Sequence, residues 1–261
     1  MEKEMIDMEY FVAPESIVRK IWGKGDTILF IFAGASAEFA LNKAVDWLYY
    51  TGRLPADPLG RLFSTVNYAK AIIFADKQTA LRTINAITAI HANIEDKRGS
   101  YIPDWAYRDV LFMLIDYSIR SFELLERDLS TTEKEDVFMV FYNLGIKMGI
   151  SGLPNNYTAW QKMRQEHMVN NLVYSHYTFD LICQYRKHLG PFRFLILREA
   201  QKLIVPKSVR QKMNLGKVSF LLLFLGLYKF IRDFKFTRFI KSLIMPPLFK
   251  NDIMSLDRLH V

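Results

Sequence analysis

Groups able to ligate a metal, pair with charge or move protons are scattered thinly along this chain, and four places stand out by residue type and spacing. His91 lies in INAITAIHANI, where Ile84, Ile87, His91 and Ile94 recur every three or four residues. On a helix that spacing places the imidazole on an apolar face. A neutral imidazole there needs hydrogen-bond partners or a metal, so His91 reads either as a satisfied core histidine or as a ligand. Arg61 and Thr65 stand one turn apart, with Tyr68 and Ala69 continuing the same face. They read either as a solvated arginine beside a threonine bonded to its own helix, or as the polar side of a pocket. Glu38, four residues before Asn42, is a candidate for a polar group facing inward, the other reading being a partly exposed helix end. His167 and His176, near Glu166, are nine residues apart, which is not a same-face spacing, and both read as ordinary polar residues.

These groups must be positioned by helices. The first strong signal covers 35–50, where Phe39, Leu41, Val45, Leu48 and Tyr49 surround the axis almost completely, as in a buried helix. Asp57 followed by Pro58 is a helix start: the carboxylate accepts free amide protons of the first turn, and proline there forfeits no hydrogen bond. That helix carries Arg61, Thr65, Ala69 and Ile72. The next begins near Asp76 and carries His91. Further helices are predicted at 104–125, from the capping box Ser130 and Glu133 to about Gly149, and at 158–171, 174–188 and 191–204, with Pro206 ending the last.

Composition agrees with an all-α fold. The 261 residues are 51% hydrophobic and 24% charged, which excludes a disordered tail and a polytopic membrane protein alike, and 12 Gly with 9 Pro are few for a fold of many short strands. No repeat or linker interrupts the chain, so one domain is expected. The single cysteine, Cys183, rules out an intrachain disulfide and is expected as a small buried hydrophobe in a reducing compartment. The phosphate loop, dinucleotide fingerprint, zincin helix and nucleophile elbow are missing.

The net charge of +8 is concentrated near the C-terminus, where Lys217, Lys229, Arg232, Lys235, Arg238, Lys241 and Lys250 face one acid, Asp233. Successive bases drift about 60° around a helix axis, so they form no clean nucleic-acid face. Phe230, Phe234, Phe236 and Phe239 among them suit either packing against the core or insertion at a membrane surface. The acidic N-terminus does not read as a secretory signal, and the apolar run 218–231 is roughly 21 Å long as a helix, too short to span a bilayer. A cytoplasmic location with peripheral membrane contact as an option is the expectation.

Several segments together resemble one known family, the oxygenases that include the fungal mycophenolic-acid side-chain oxygenase and the latex-clearing rubber oxygenases. They are AGASAEFALNKAVDWLYYTGRLPADPLGRLFSTVNYAKAIIF, INAITAIHANI, LLERDLSTTEKEDVF, LGIKMGISGLPNNYTAW and REAQKLIVPKSVRQKM, in that order between about residues 33 and 215. The resemblance implies a helical, globin-like core holding haem b, with His91 as the proximal iron ligand and Arg61 and Thr65 lining the distal or propionate side. It implies dioxygen as a partner, an apolar alkene, isoprenoid or lipid-like substrate, and no nucleic acid. The sequence also departs from the family: Ser64 replaces a distal lysine, Thr88 replaces an arginine, and histidines of many relatives are absent near Val45 and Leu114. A catalytic glutamate has only Glu38 as a nearby candidate. The implied organisation is an extension over 1–32, a catalytic domain over 33–215 and a basic, apolar helical segment over 216–261. A non-catalytic helical protein that binds lipid or a membrane surface on the same scaffold is the alternative.

Overall fold

A computed structural model of the protein describes residues 9–52 and 56–231. Eleven helices and no strand occur among the described residues, so the chain is all-α. They are α1 (Ile17–Trp22), α2 (Gly25–Leu41), α3 (Val45–Tyr50), α4 (Pro58–Ile73), α5 (Lys77–Arg98), α6 (Asp104–Leu125), α7 (Thr131–Lys147), α8 (Tyr157–Asn170), α9 (His176–Ile204), α10 (Lys207–Lys212) and α11 (Leu221–Ile231).

Helix α2 is the axis of the molecule. It is apolar nearly all round, with most of its residues buried, and α6 and α9 make the most extensive packing against it. At Gly34 the approach of α6 is so close that an added Cβ would lie 2.3 Å from the ring of Tyr117. Trp22 of α1 joins the same core and donates its indole N–H to Ser118 Oγ at 3.0 Å. The N-terminal stretch expected as an extension therefore contributes Val12, Ile17, Val18, Ile21 and Trp22 to the common core, and position 33 falls inside α2.

Local signals fix the helix starts. Asp57 accepts from Gly60 N at 2.8 Å ahead of Pro58, Asp76 accepts from Thr79 N at 2.9 Å, and Ser130 with Glu133 closes a reciprocal capping box. The helix predicted over 35–50 is in fact broken. Asn42 Oδ1 accepts from Ala44 N at 2.7 Å, its backbone turns extended, and α3 restarts at Val45. An asparagine side chain here outcompetes the helical hydrogen bond that periodicity alone would continue. The helices predicted at 174–188 and 191–204 run together as α9, with a non-helical Gly190 (φ 72°) marking the kink between them. Cys183 is exposed, contrary to expectation, because α9 buries the face of Thr178, Leu181 and Tyr185 and leaves position 183 opposite. The aromatic and basic positions expected to contact a membrane from Arg232 onward lie outside the described residues.

The Gly34–Tyr117 approach leaves no room for a methyl group on an inflexible buried ring. Gly34→Ala is expected to destabilise the protein by about 1–3 kcal/mol, the usual cost of overpacking, seen as a lower urea midpoint at unchanged slope.

Candidate functional site

Two arrangements of polar side chains emerge, and only one was anticipated. The anticipated one lies between α4 and α5, which pack side by side. His91 is half-buried on α5. Its Nδ1 is shielded from solvent and has no hydrogen-bond partner. The ring packs against Tyr107 of α6 with centroids 5.1 Å apart. Burial, reinforced by the positive charge of Arg61 and opposed by Glu95, lowers the His91 pKa, so the imidazole is neutral at physiological pH. Arg61 is thus brought into the electrostatic field of His91 across the α4–α5 interface. Thr65 donates its hydroxyl to the Arg61 carbonyl at 3.3 Å, and Ser64 donates to the same carbonyl at 2.8 Å.

One member of this site was missed from sequence. Glu95 stands four residues after His91 on the same face, and its Oε1 accepts from Tyr107 Oη at 3.0 Å and from Ile102 N at 2.8 Å. It ties the end of α5 to the start of α6 and so holds the aromatic ring that covers His91. The spacing of four was legible, but its partners come from the following loop and helix.

The second arrangement is a buried ionic cluster centred on Glu38, which is fully enclosed. Arg164 of α8 grips it with both terminal nitrogens, Nη2 at 2.6 Å from Oε2 and Nη1 on Oε1. Tyr117 donates to Oε2 at 2.8 Å, and His167 Nε2 lies 2.9 Å from Oε1. Arg164 also donates to Asp116 from Nε at 3.2 Å and Nη2 at 2.9 Å. On the far side of the imidazole, Nδ1 approaches Asp109 Oδ1 at 2.7 Å as an ion-pair contact rather than an aligned hydrogen bond. Asp109 Oδ2 in turn accepts from Asn42 at 3.1 Å and Asn171 at 2.8 Å.

The electrostatics follow from that geometry. Burial alone would raise the Glu38 pKa, but Arg164 and His167 outweigh it and hold the carboxyl down at about 2. Burial alone would lower the His167 pKa, but the Asp109 and Glu38 carboxylates flanking its two nitrogens raise it above the ordinary value. With His167 as imidazolium, the charges of Glu38, Asp109 and Asp116 are matched by Arg164, His167 and Arg120, which meets Asp116 Oδ1 at 2.6 Å. Glu38 is therefore saturated with donors and held as the carboxylate. His167, expected as an ordinary polar residue, is 3% exposed and central to the cluster, whereas His176 is exposed against Tyr177. A cleft of about 240 Å³ reaches the outer edge of the cluster at Asp116 and Arg164. Its lining includes Trp160 and Lys134 but none of Arg61, Thr65 or His91.

Metal capacity is concentrated in single residues: no group of three or more His, Cys, Asp or Glu suited to an ion occurs among the described residues. A prosthetic group that needs one protein ligand is a different case, and His91 meets it with a neutral ring and a buried, unpartnered nitrogen. Residues 20–232 match the model of the family described as ER-bound oxygenase mpaB/B'/Rubber oxygenase, catalytic domain, and the chain belongs to that family. No curated protein matches the chain significantly. Membership supports an oxygenase activity. No helix among the described residues is long and apolar enough to cross a membrane.

The cluster makes two testable statements. Arg164→Met removes the guanidinium shared by Glu38 and Asp116, leaving His167 alone on the first and the part-exposed Arg120 on the second, and is expected to cost about 3–5 kcal/mol by urea denaturation, whereas adding Glu38→Leu to it should recover part of the loss. The second concerns pH. Because the folded His167 pKa lies above its ordinary 6.5, its stabilisation is complete below pH 6.5 and is lost as pH rises through the folded value. Because the Glu38 pKa is depressed from 4.5 to about 2, its contribution is complete above pH 4.5 and fades as pH falls towards 2. Urea midpoints measured across pH should show the alkaline decline in the parent protein and a flatter alkaline limb in His167→Gln.

Proposed function

We propose that the protein is a haem-dependent oxygenase acting on an apolar alkene, isoprenoid or lipid-like substrate. The observation that carries the reading is His91, a neutral imidazole on α5 with a buried nitrogen that no protein group satisfies. A lone pair kept unprotonated and undonated inside a protein is what an axial ligand requires. Haem b, when bound, supplies an iron centre able to bind and activate dioxygen.

The chain's own residues divide the remaining tasks. His91 would hold the iron, and Tyr107, fixed by its hydrogen bond to Glu95, limits rotation of the ring. Burial, aided by the charge of Arg61, keeps the imidazole from protonating, and Arg61 would meet the propionate carboxylates of the porphyrin, since a guanidinium suits planar anions. Thr65 would address a bound ligand only by turning its hydroxyl away from the Arg61 carbonyl, so its part is in orientation rather than proton supply. With Ser64 in place of a lysine, position 64 itself supplies no cation to compete for the distal side. Ile87 and Ile94 extend the apolar face of α5 on which a greasy substrate would lie.

Reconstitution of the full chain with haem tests the reading. A Soret band at one haem per chain is expected, absent in His91→Ala although its circular dichroism is unchanged, with haem retention at least about tenfold weaker in Arg61→Ala. Oxygen uptake with an isoprenoid alkene such as squalene should follow haem content. Parent protein that remains colourless after reconstitution, or His91→Ala that keeps the band, overturns the proposal.

A further inference from the structure

The surface formed by the second half of α9, the loop 213–220 and the first turn of α11 combines two features that soluble surfaces keep apart. One is exposed apolar side chains in succession: Val218 is 72% exposed, Leu223 82% and Phe224 57%, joined by Phe220 and Leu222. Contiguous apolar exposure of this kind marks an interaction site. The other is unbalanced positive charge. Between positions 191 and 220 the chain has seven Lys and Arg against one acid, Glu199. That acid is buried and already engaged by Lys202 and by the Phe220 N–H at 3.0 Å.

The apolar residues are held out, not left loose. Glu199 takes Phe220 N, Ser219 Oγ accepts from Leu221 N at 3.1 Å, and Tyr228 donates to Asp26 Oδ2 of α2 at 3.0 Å, so both ends of this segment are anchored to the body. Bases gather at its foot: Arg210 donates to the Lys217 carbonyl, Lys202 lies beside Gly216, and Lys212 and Lys217 are exposed. From 218 to 228 there is no charged residue at all.

We infer that this surface docks on an anionic lipid bilayer, the side chains of Leu222, Leu223 and Phe224 entering the headgroup boundary while Lys212, Lys217 and their neighbours meet lipid phosphates. Basic groups flanking a short apolar tip are the chemistry of interfacial attachment. A nucleic acid would use the charge but not the exposed leucines. No helix among the described residues is long and apolar enough to cross a membrane, and the contact proposed through this surface is peripheral. The inference is independent of the haem reading and places the contact upstream of Phe230, Phe234, Phe236 and Phe239, the aromatic positions that the sequence pattern offered for a membrane surface.

The test is sedimentation of the full chain with phosphatidylcholine vesicles, with and without a quarter of the lipid as phosphatidylserine. The parent protein is expected to pellet with the anionic vesicles, at least about tenfold less in L223S/F224S, and several-fold less in K212Q/K217Q or in half-molar salt. All four substituted residues are exposed, and thermal melts verify that the variants fold. An environment-sensitive dye on the cysteine of L223C, in a C183S background, should shift to the blue on anionic vesicles. Parent protein left in solution with both vesicle types, L223S/F224S pelleting like the parent, or a dye that does not shift overturns the inference. So does a dimer in sizing that L223S/F224S dissociates, which would assign the surface to a second copy of the chain.

Discussion

The grip of Arg164 on Glu38 is the constraint around which the helices are arranged. Each of the two charges would be costly alone at such depth, and the cost is offset only when the guanidinium, the carboxylate, Asp116, Tyr117 and His167 all reach their places together. Three helices are thereby fixed at once. Glu38 comes from α2, Asp109, Asp116 and Tyr117 from α6, and Arg164 and His167 from α8. Apolar packing would allow α8 to slide or rotate against the core at modest cost. A fork of hydrogen bonds with defined partners does not, so the cluster specifies an arrangement more than it adds stability.

The fold was largely legible because its signals are local. Asp57 with Pro58, Asp76, and Ser130 with Glu133 each announce a helix start within four residues, and each caps its helix as expected. The break at Asn42 was not legible. Its side chain chooses between helix and turn according to Asp109, a partner 67 positions away. His167 was read as ordinary for the same reason: its neighbours in sequence say nothing of Glu38, 129 positions back. Arg164 three residues before it was the available hint, since a base one turn from a histidine on an otherwise mixed helix gains meaning only if an acid faces both. Of the other site, Arg61, Thr65 and His91 could be nominated from spacing and resemblance, while Glu95 needed the loop that returns Ile102 and Tyr107 to it.

Stability and candidate chemistry occupy different depths of the molecule. The first half of α5 is anchored by Ala80 and Ile84, both fully buried, but from Ile87 onward its inward face is only half-buried. The face of α4 around Arg61, Thr65 and Tyr68 is likewise partly exposed. The core thus thins where the two helices carry their polar groups. Alterations there remove little buried area, whereas any change at Arg164 acts on the most enclosed charges among the described residues.

That thinning bears directly on His91. A histidine whose purpose was to fill the core would be enclosed and would have a partner group facing each nitrogen, as His167 has in its two flanking carboxylates. His91 shows the opposite combination, with a ring covered on one side by Tyr107, a nitrogen shielded yet unpartnered, and a charge beside it that suppresses protonation. Leaving a buried polar atom unmet costs about 1–3 kcal/mol, and a fold with ample apolar residues nearby could have avoided it with leucine at the same position. The cost makes physical sense if the missing partner is brought by something other than the polypeptide, and the half-buried faces of α4 and α5 are where a flat apolar group with two acidic arms would find both a ligand and a guanidinium.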